Sequence, residues 1–173
     1  MIRLLKWGAP LTILVFLAIL VPILTEKTTA PIVTFTTIQG KQISMASLKG
    51  KVVLVNFWAS DCRACVTEMP ALASIYNDYK AKGFEVIAVA MPYDPPAQVL
   101  NYAIQKKLPF PVMDDGLGNI VEQFNNVSVT PTTYIFNQQG KRIQYTEGAL
   151  NFKALRQLLN KTLNVKDQAN VVD

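Results

Sequence analysis

Hydrophobic positions fall into two kinds of segment along this chain. The first is a single block: residues 7–24 read WGAPLTILVFLAILVPIL, 18 residues without a charge. At about 1.5 Å per residue the block spans roughly 27 Å as a helix, just short of a bilayer's hydrocarbon core. Beyond it, apolar residues come in shorter, patterned groups. Ile32 to Ile38 and Lys41 to Ile43 flank Gln39-Gly40, a hairpin signal. Lys51 to Trp58 (KVVLVNFW) is an apolar, β-branched-rich run, the pattern of a strand buried on both faces. From Cys62 to Lys82, residues Val66, Met69, Leu72, Ala73, Tyr76 and Tyr79 recur at helical steps, and Gly83 is the expected stop. Phe84 to Met91 reads as a second buried strand.

Weaker signals complete the order. Asp94-Pro95-Pro96 opens a helix to about Lys107, Phe110 to Met113 suits a short strand, and Gly116 to Asn125 a short helix. Thr132 to Phe136 and Arg142 to Thr146 flank Gln138-Gln139-Gly140 as an antiparallel hairpin. Asn151 to Leu163 closes with a helix carrying Phe152, Leu155, Leu158 and Leu159. Strand–helix–strand units demand parallel pairing with right-handed crossovers, and the late hairpin adds antiparallel strands. The expectation is an α/β domain with a mixed central sheet flanked by helices.

The block at 7–24 comes after Arg3 and Lys6, so the positive-inside rule keeps the first residues cytoplasmic and exports the chain beyond residue 24. Two readings compete. The 11 residues between Pro10 and Pro22 match a cleaved signal peptide in length. Thr28-Thr29-Ala30 before Pro31 is a poor cleavage site, which favours an uncleaved single-pass anchor. The chain therefore divides into an anchor or signal at 1–24, a polar linker at 25–31, a domain at 32–163 and a loose polar tail at 164–173. The expected location is the cell membrane, with the domain on the periplasmic or extracytoplasmic side and the lipid bilayer contacted through residues 7–24.

Composition narrows the chemistry. The chain has 173 residues, half of them hydrophobic and 17% charged, which excludes a disordered protein. It has no histidine, which excludes Ser-His-Asp and Cys-His catalysis and His-ligated metals. Two cysteines cannot complete a four-cysteine metal site, so no metal is expected. Outside Arg3 and Lys6 the charges are 15 basic against 12 acidic, too mild a surplus to suggest nucleic acid.

What remains is Cys62-Arg63-Ala64-Cys65, directly after a buried strand and at the start of a helix. Free N–H groups at a helix N-terminus favour a thiolate, and Arg63 adds positive charge. Cys62, at the end of the turn, is the expected nucleophile, and Cys65, one turn inside, the resolving thiol. A purely structural disulfide is disfavoured, because so short a loop removes little unfolded-chain entropy. Glu68 lies three residues beyond Cys65 and shares its helix face. Its spacing alone leaves two roles open: proton acceptor for Cys65, or a solvated helix glutamate. Pro70 cannot donate to the carbonyl of Val66, so a kink is expected. Pro131 is expected trans from base rates.

Through these motifs the sequence resembles the thioredoxin superfamily, in its membrane-tethered TlpA/ResA-like branch of cytochrome c maturation thioredoxins. The resemblance covers about residues 32–162. It rests on GKVVLVNFWASDCRACVTEMP, on VSVTPTTYIFNQQGK, and on GAL at 148–150. It implies an N-terminal β-hairpin extension at 32–43, a cis Pro131 against the cysteine pair, and a Thr130 backbone offered to substrate. It also implies that Trp58 and Arg63 help shape the site and that Glu68 is functional. Departures are Ala64 where the branch has proline, Asp61 where tryptophan is common, and Val129 in place of a common glycine. Asn56 stands where cytoplasmic thioredoxins bury an aspartate.

The leading expectation is a thiol–disulfide oxidoreductase that reduces disulfides of exported proteins such as apocytochrome c. No flavin or nicotinamide motif is present, so no cofactor is expected and a membrane electron-donor protein must restore the dithiol. Alternatives are a disulfide-forming oxidase of the same fold, a non-catalytic binding module, and a peroxiredoxin-like peroxidase. The last is disfavoured because Ala59 occupies the place of its peroxide-positioning threonine.

Overall fold

The structure, a computed structural model, describes residues 29–164. The apolar block at 7–24 and the tail from 165 onward lie outside the described residues. Among the described residues, no helix is long and apolar enough to cross a membrane.

A short antiparallel hairpin, β1 (Thr34–Thr36) and β2 (Gln42–Ser44), opens the domain and runs into a 3-10 turn at Met45–Leu48. Then come β3 (Val52–Trp58), α1 (Arg63–Tyr79), β4 (Phe84–Ala90), α2 (Pro96–Gln105), β5 (Val112–Asp114) and α3 (Asn119–Gln123). The chain closes with β6 (Thr132–Phe136), β7 (Arg142–Glu147) and α4 (Phe152–Thr162). Five strands form one sheet in the order β5-β4-β3-β6-β7. β3, β4 and β5 are parallel, while β6 runs antiparallel to both β3 and β7. The fold is thioredoxin-like, with the mixed sheet and flanking helices expected from the element order. The N-terminal hairpin lies along β5, where Ile38 N–H donates to the Val112 carbonyl at 2.9 Å.

β3 is buried along its whole length. Its alternation separates two cores. Val52, Leu54 and Trp58 pack with α1, α2 and α4, through Met69, Leu72, Ile75, Val99, Leu155 and Leu159. Val53, Val55 and Phe57 face the other side, against Phe35, Leu48, Ile120 and Phe124. Each large side chain fully removed from water contributes roughly 1.5–3 kcal/mol. The sheet is thus held from both faces, and β3 is its least displaceable strand.

The helical stripe of α1 differs from the sequence expectation. Cys65, Glu68, Met69, Leu72, Ile75 and Tyr79 are buried, whereas Val66, Ala73 and Tyr76 are half-buried at its edge. Counting only apolar residues omits Glu68 and slides the stripe sideways. The expected helix to Lys82 ends at Tyr79 in a 3-10 turn, Lys80–Lys82, closed by Gly83 at a φ of 97°. A positive φ costs glycine nothing, so the stop falls at the expected residue.

Pro70 sits inside α1 without interrupting it. Lacking an N–H, it leaves the Val66 carbonyl without its helical donor. The Tyr102 hydroxyl of α2 donates to that carbonyl at 3.2 Å, and burial raises its pKa, which keeps the proton in place. The last residues of the expected linker are also seated. Ala30 N–H donates to the Gly140 carbonyl at 2.8 Å, and Thr29 pairs with Lys141. That contact lies at the β6–β7 turn, the opposite end of the sheet from the cysteines.

Two substitutions separate these contributions. Leu72→Ala is expected to lower unfolding free energy by about 2–5 kcal/mol through the cavity it leaves. Tyr102→Phe is expected to cost about 1 kcal/mol for one lost hydrogen bond. Urea unfolding measures both, and a Tyr102→Phe variant as stable as the parent would show that Val66 has another partner.

Candidate functional site: a cysteine pair at a strand-to-helix junction

β3 leaves the sheet at Trp58, and the next three residues turn the chain into α1. Cys62 N–H closes that turn on the Ala59 carbonyl at 3.2 Å. Cys62 is the N-cap residue of α1, extended at φ −78° and ψ 104°. Its sulfur accepts from Cys65 N–H at 3.2 Å, while Val66 N–H donates to its carbonyl at 3.1 Å. A sulfur that receives a helix N-terminal N–H is placed to carry negative charge. Cys62 and Cys65 form a disulfide with Cα atoms 5.2 Å apart. Cys65 is wholly buried and Cys62 half-buried, so Cys62 is the sulfur open to a partner. Arg63 and Asp61 flank it, both exposed.

The other expected residues come to the same end of the sheet, each by a different element. β3–β6 pairing puts Phe57 opposite Thr132, so Pro131 falls opposite Trp58. The Thr130–Pro131 peptide is cis, against the base-rate expectation of trans and as the family resemblance implies. Pro131 is buried, Thr130 half-buried, and Gly148 N–H donates to the Pro131 carbonyl at 2.8 Å. Trp58 is fully buried rather than exposed to a partner, its ring tilted against Tyr102 with centroids 5.2 Å apart. It supports the site from beneath.

Glu68 is 5% exposed, which excludes the solvated-glutamate reading. Asn56 Nδ2 donates to its Oε1 at 3.4 Å, and Leu150 N–H donates to its Oε2 at 3.1 Å. Burial raises its pKa above the ordinary 4.5, and the Leu150 and Asn56 hydrogen bonds partly oppose that. Raised affinity for a proton suits a group that takes one from a thiol.

Sequence reasoning missed three contributors. Asp94 reads as the opening of α2, but α2 has no side-chain cap. Its buried carboxylate instead accepts from Ser60 N–H and Ser60 Oγ–H, each at 2.6 Å. It clamps the turn two residues before Cys62. Thr133 and the Leu150 backbone hold the Glu68 network, and both come from the far end of the chain. Only an Asp before Pro-Pro hinted at the first; Thr133 and Leu150 lie in motifs that carry the resemblance, but no local spacing marked their role.

A redox-active cysteine pair on this fold defines a thioredoxin-like thiol–disulfide oxidoreductase. The AhpC/TSA family pattern matches residues 27–145, and the chain belongs to that family. Thiol-disulfide oxidoreductase ResA of Bacillus thuringiensis subsp. konkukian is 35% identical over 132 residues, 76% of this chain and 75% of that protein. ResA of Bacillus subtilis is 31% identical over 137 residues, 79% and 75% of the two chains. Among solved structures, a thiol:disulfide interchange protein of the thioredoxin family from Chlorobium tepidum superposes with a TM-score of 0.73 at 26% identity. The match covers 80% of this chain and 98% of that one.

The buried carboxylates give two expected outcomes. Because the folded chain binds Glu68's proton more tightly than the unfolded chain, the associated stability is full below about pH 4.5. It is lost as pH rises through the raised value. Glu68→Gln should therefore gain on the parent as pH rises, measured by urea unfolding at acidic and alkaline pH. A constant difference would deny the raised pKa. Ser60→Ala, which strips a hydrogen bond from buried Asp94, should cost about 1.5–3 kcal/mol, read from the same unfolding curves.

Proposed function

We propose that this protein is a membrane-tethered reductant of disulfides in exported proteins, apocytochrome c among them, with its domain on the extracytoplasmic side. The observation that carries the reaction is a half-buried Cys62 at a helix N-terminus with Cys65 and Glu68 behind it on the buried face. The ResA-type names of its relatives support the reaction class. The residue pattern shared with cytochrome c maturation thioredoxins supports the substrate, and the apolar block at 7–24 after Arg3 and Lys6 supports the tether.

The Cys62 thiolate attacks one sulfur of a substrate disulfide. That S–S bond breaks, a mixed disulfide forms, and one substrate thiolate leaves. Glu68 takes the Cys65 proton, and the Cys65 thiolate attacks the Cys62 sulfur. The mixed disulfide breaks, the second substrate thiolate leaves, and two electrons have moved from the dithiol to the substrate. Thr130, beside cis-Pro131, presents its backbone to the bound chain. Arg63 favours the Cys62 thiolate, and Asp61 on its other side opposes it. A membrane dithiol donor then reduces the Cys62–Cys65 bond.

Cys62→Ser should abolish insulin reduction by the purified protein, and retained activity would sink the assignment. Cys65→Ala should accumulate substrates as mixed disulfides on Cys62, identified by mass spectrometry. A c-type apocytochrome among them supports the pathway, and its absence from an otherwise populated trap argues against it. Thiol labelling in cells decides direction: a mostly reduced pair fits a reductant, a mostly oxidised pair an oxidase.

A further inference from the structure

Asn56 is the one polar residue in the wholly buried β3, and it is 0% exposed. It is the direct register partner of Thr133 across β3 and β6. Its Nδ2 donates both to Glu68 Oε1, at 3.4 Å, and to Thr133 Oγ1, at 3.1 Å. Its Oδ1 is buried and, among the described residues, has no hydrogen-bond partner. Both partners therefore sit at one end of the amide, and the other end is an orphan. A buried amide usually satisfies both ends, and leaving one end unsatisfied is costly.

The amide's two ends have nearly the same shape but opposite hydrogen-bonding sense. Ionised Glu68 only accepts, so in that state the NH2 end faces it. Protonated Glu68 carries one O–H. Leu150 N–H occupies Oε2, which directs that proton to Oε1, towards Asn56. An NH2 group cannot accept it. With the amide inverted, Oδ1 offers two lone pairs: one for Glu68 O–H and one for the Thr133 hydroxyl, which rotates to donate. One end is orphaned in either orientation, so neither is locked by its surroundings.

We propose that Asn56 is a positioning residue acting through Glu68, its side-chain amide inverting each time Glu68 gains or loses a proton. The groups facing the carboxylate are Asn56 from β3, with Thr133 of β6 beyond it, and Leu150 N–H from the segment before α4. The nearest titratable group on its own helix is Cys65, once reduced. Inversion keeps Glu68 hydrogen-bonded in both states. The carboxylate stays in place while the Cys65 proton comes and goes. The consequence for turnover rests on the proposed dithiol reaction, but the inversion itself does not.

The test uses the reduced, full-length chain, labelled with 13C and 15N, in detergent micelles. Through-space contacts from the Asn56 NH2 protons to Thr133 should be present above the Glu68 titration and lost below it. Their midpoint should match that of the Glu68 carboxyl carbon, and Glu68→Gln should remove the step. Contacts that persist through the titration, or change at another pH, overturn the inversion. In insulin reduction, Asn56→Val should lower kcat several-fold at unchanged KM while remaining folded; a fully active Asn56→Val overturns the positioning role. The spectroscopy needs no turnover, so it can fail while Cys62→Ser still confirms the dithiol reaction, and the reverse.

Discussion

β3 has neighbours on every side, and the site depends on that confinement. β4 and β6 bond its two edges, and two separate apolar cores press its faces. A strand so enclosed cannot shift register without moving every side chain to the wrong core. The turn that begins at Trp58 therefore starts from a fixed point, and Cys62 arrives at a fixed place above the sheet. The Asp94 clamp on Ser60 shortens the remaining freedom between the strand and the cysteines. The same enclosure explains why a polar residue within β3 matters: Asn56 is fully buried, and among the described residues its partners are Glu68 and Thr133.

The chemistry of the site derives from what the chain lacks. Without histidine, the buried titratable side chain one turn along the helix from Cys65 is a carboxyl, Glu68. A carboxylate in water holds its proton weakly, and burial strengthens that hold by penalising the charge. Burial raises its pKa, and the Leu150 and Asn56 donors pull the other way. Glu68 is thus subject to opposed effects: desolvation in the core raises its pKa, and donors from the central strand and the GAL segment before α4 lower it.

Much of the fold is legible from residue order. The periodicities locate nearly every element, because strands buried on both faces and helices with one apolar stripe leave different spacings. Cys62 and Cys65 declare themselves by sitting between the two patterns. The departures have a common cause. The apolar stripe of α1 reads too far round because Glu68, a buried carboxyl, looks like a surface residue. Asp94 reads as a helix opener because its true partner, Ser60, lies 34 positions earlier. The cis state of Pro131 is invisible to base rates and reached only through the family pattern.

The sequence by itself determined the two-cysteine pair and the strand and helix that present it, since each depends on neighbours within a few residues. The tertiary structure alone decided what surrounds Glu68. Glu68, Asn56, Thr133 and Leu150 span 95 positions of sequence, from 56 to 150, and meet only because β6 pairs with β3 and the segment before α4 folds back over α1. Hydrogen bonds are short-range and directional, so no spacing along the chain reveals which distant donors will face a buried acceptor.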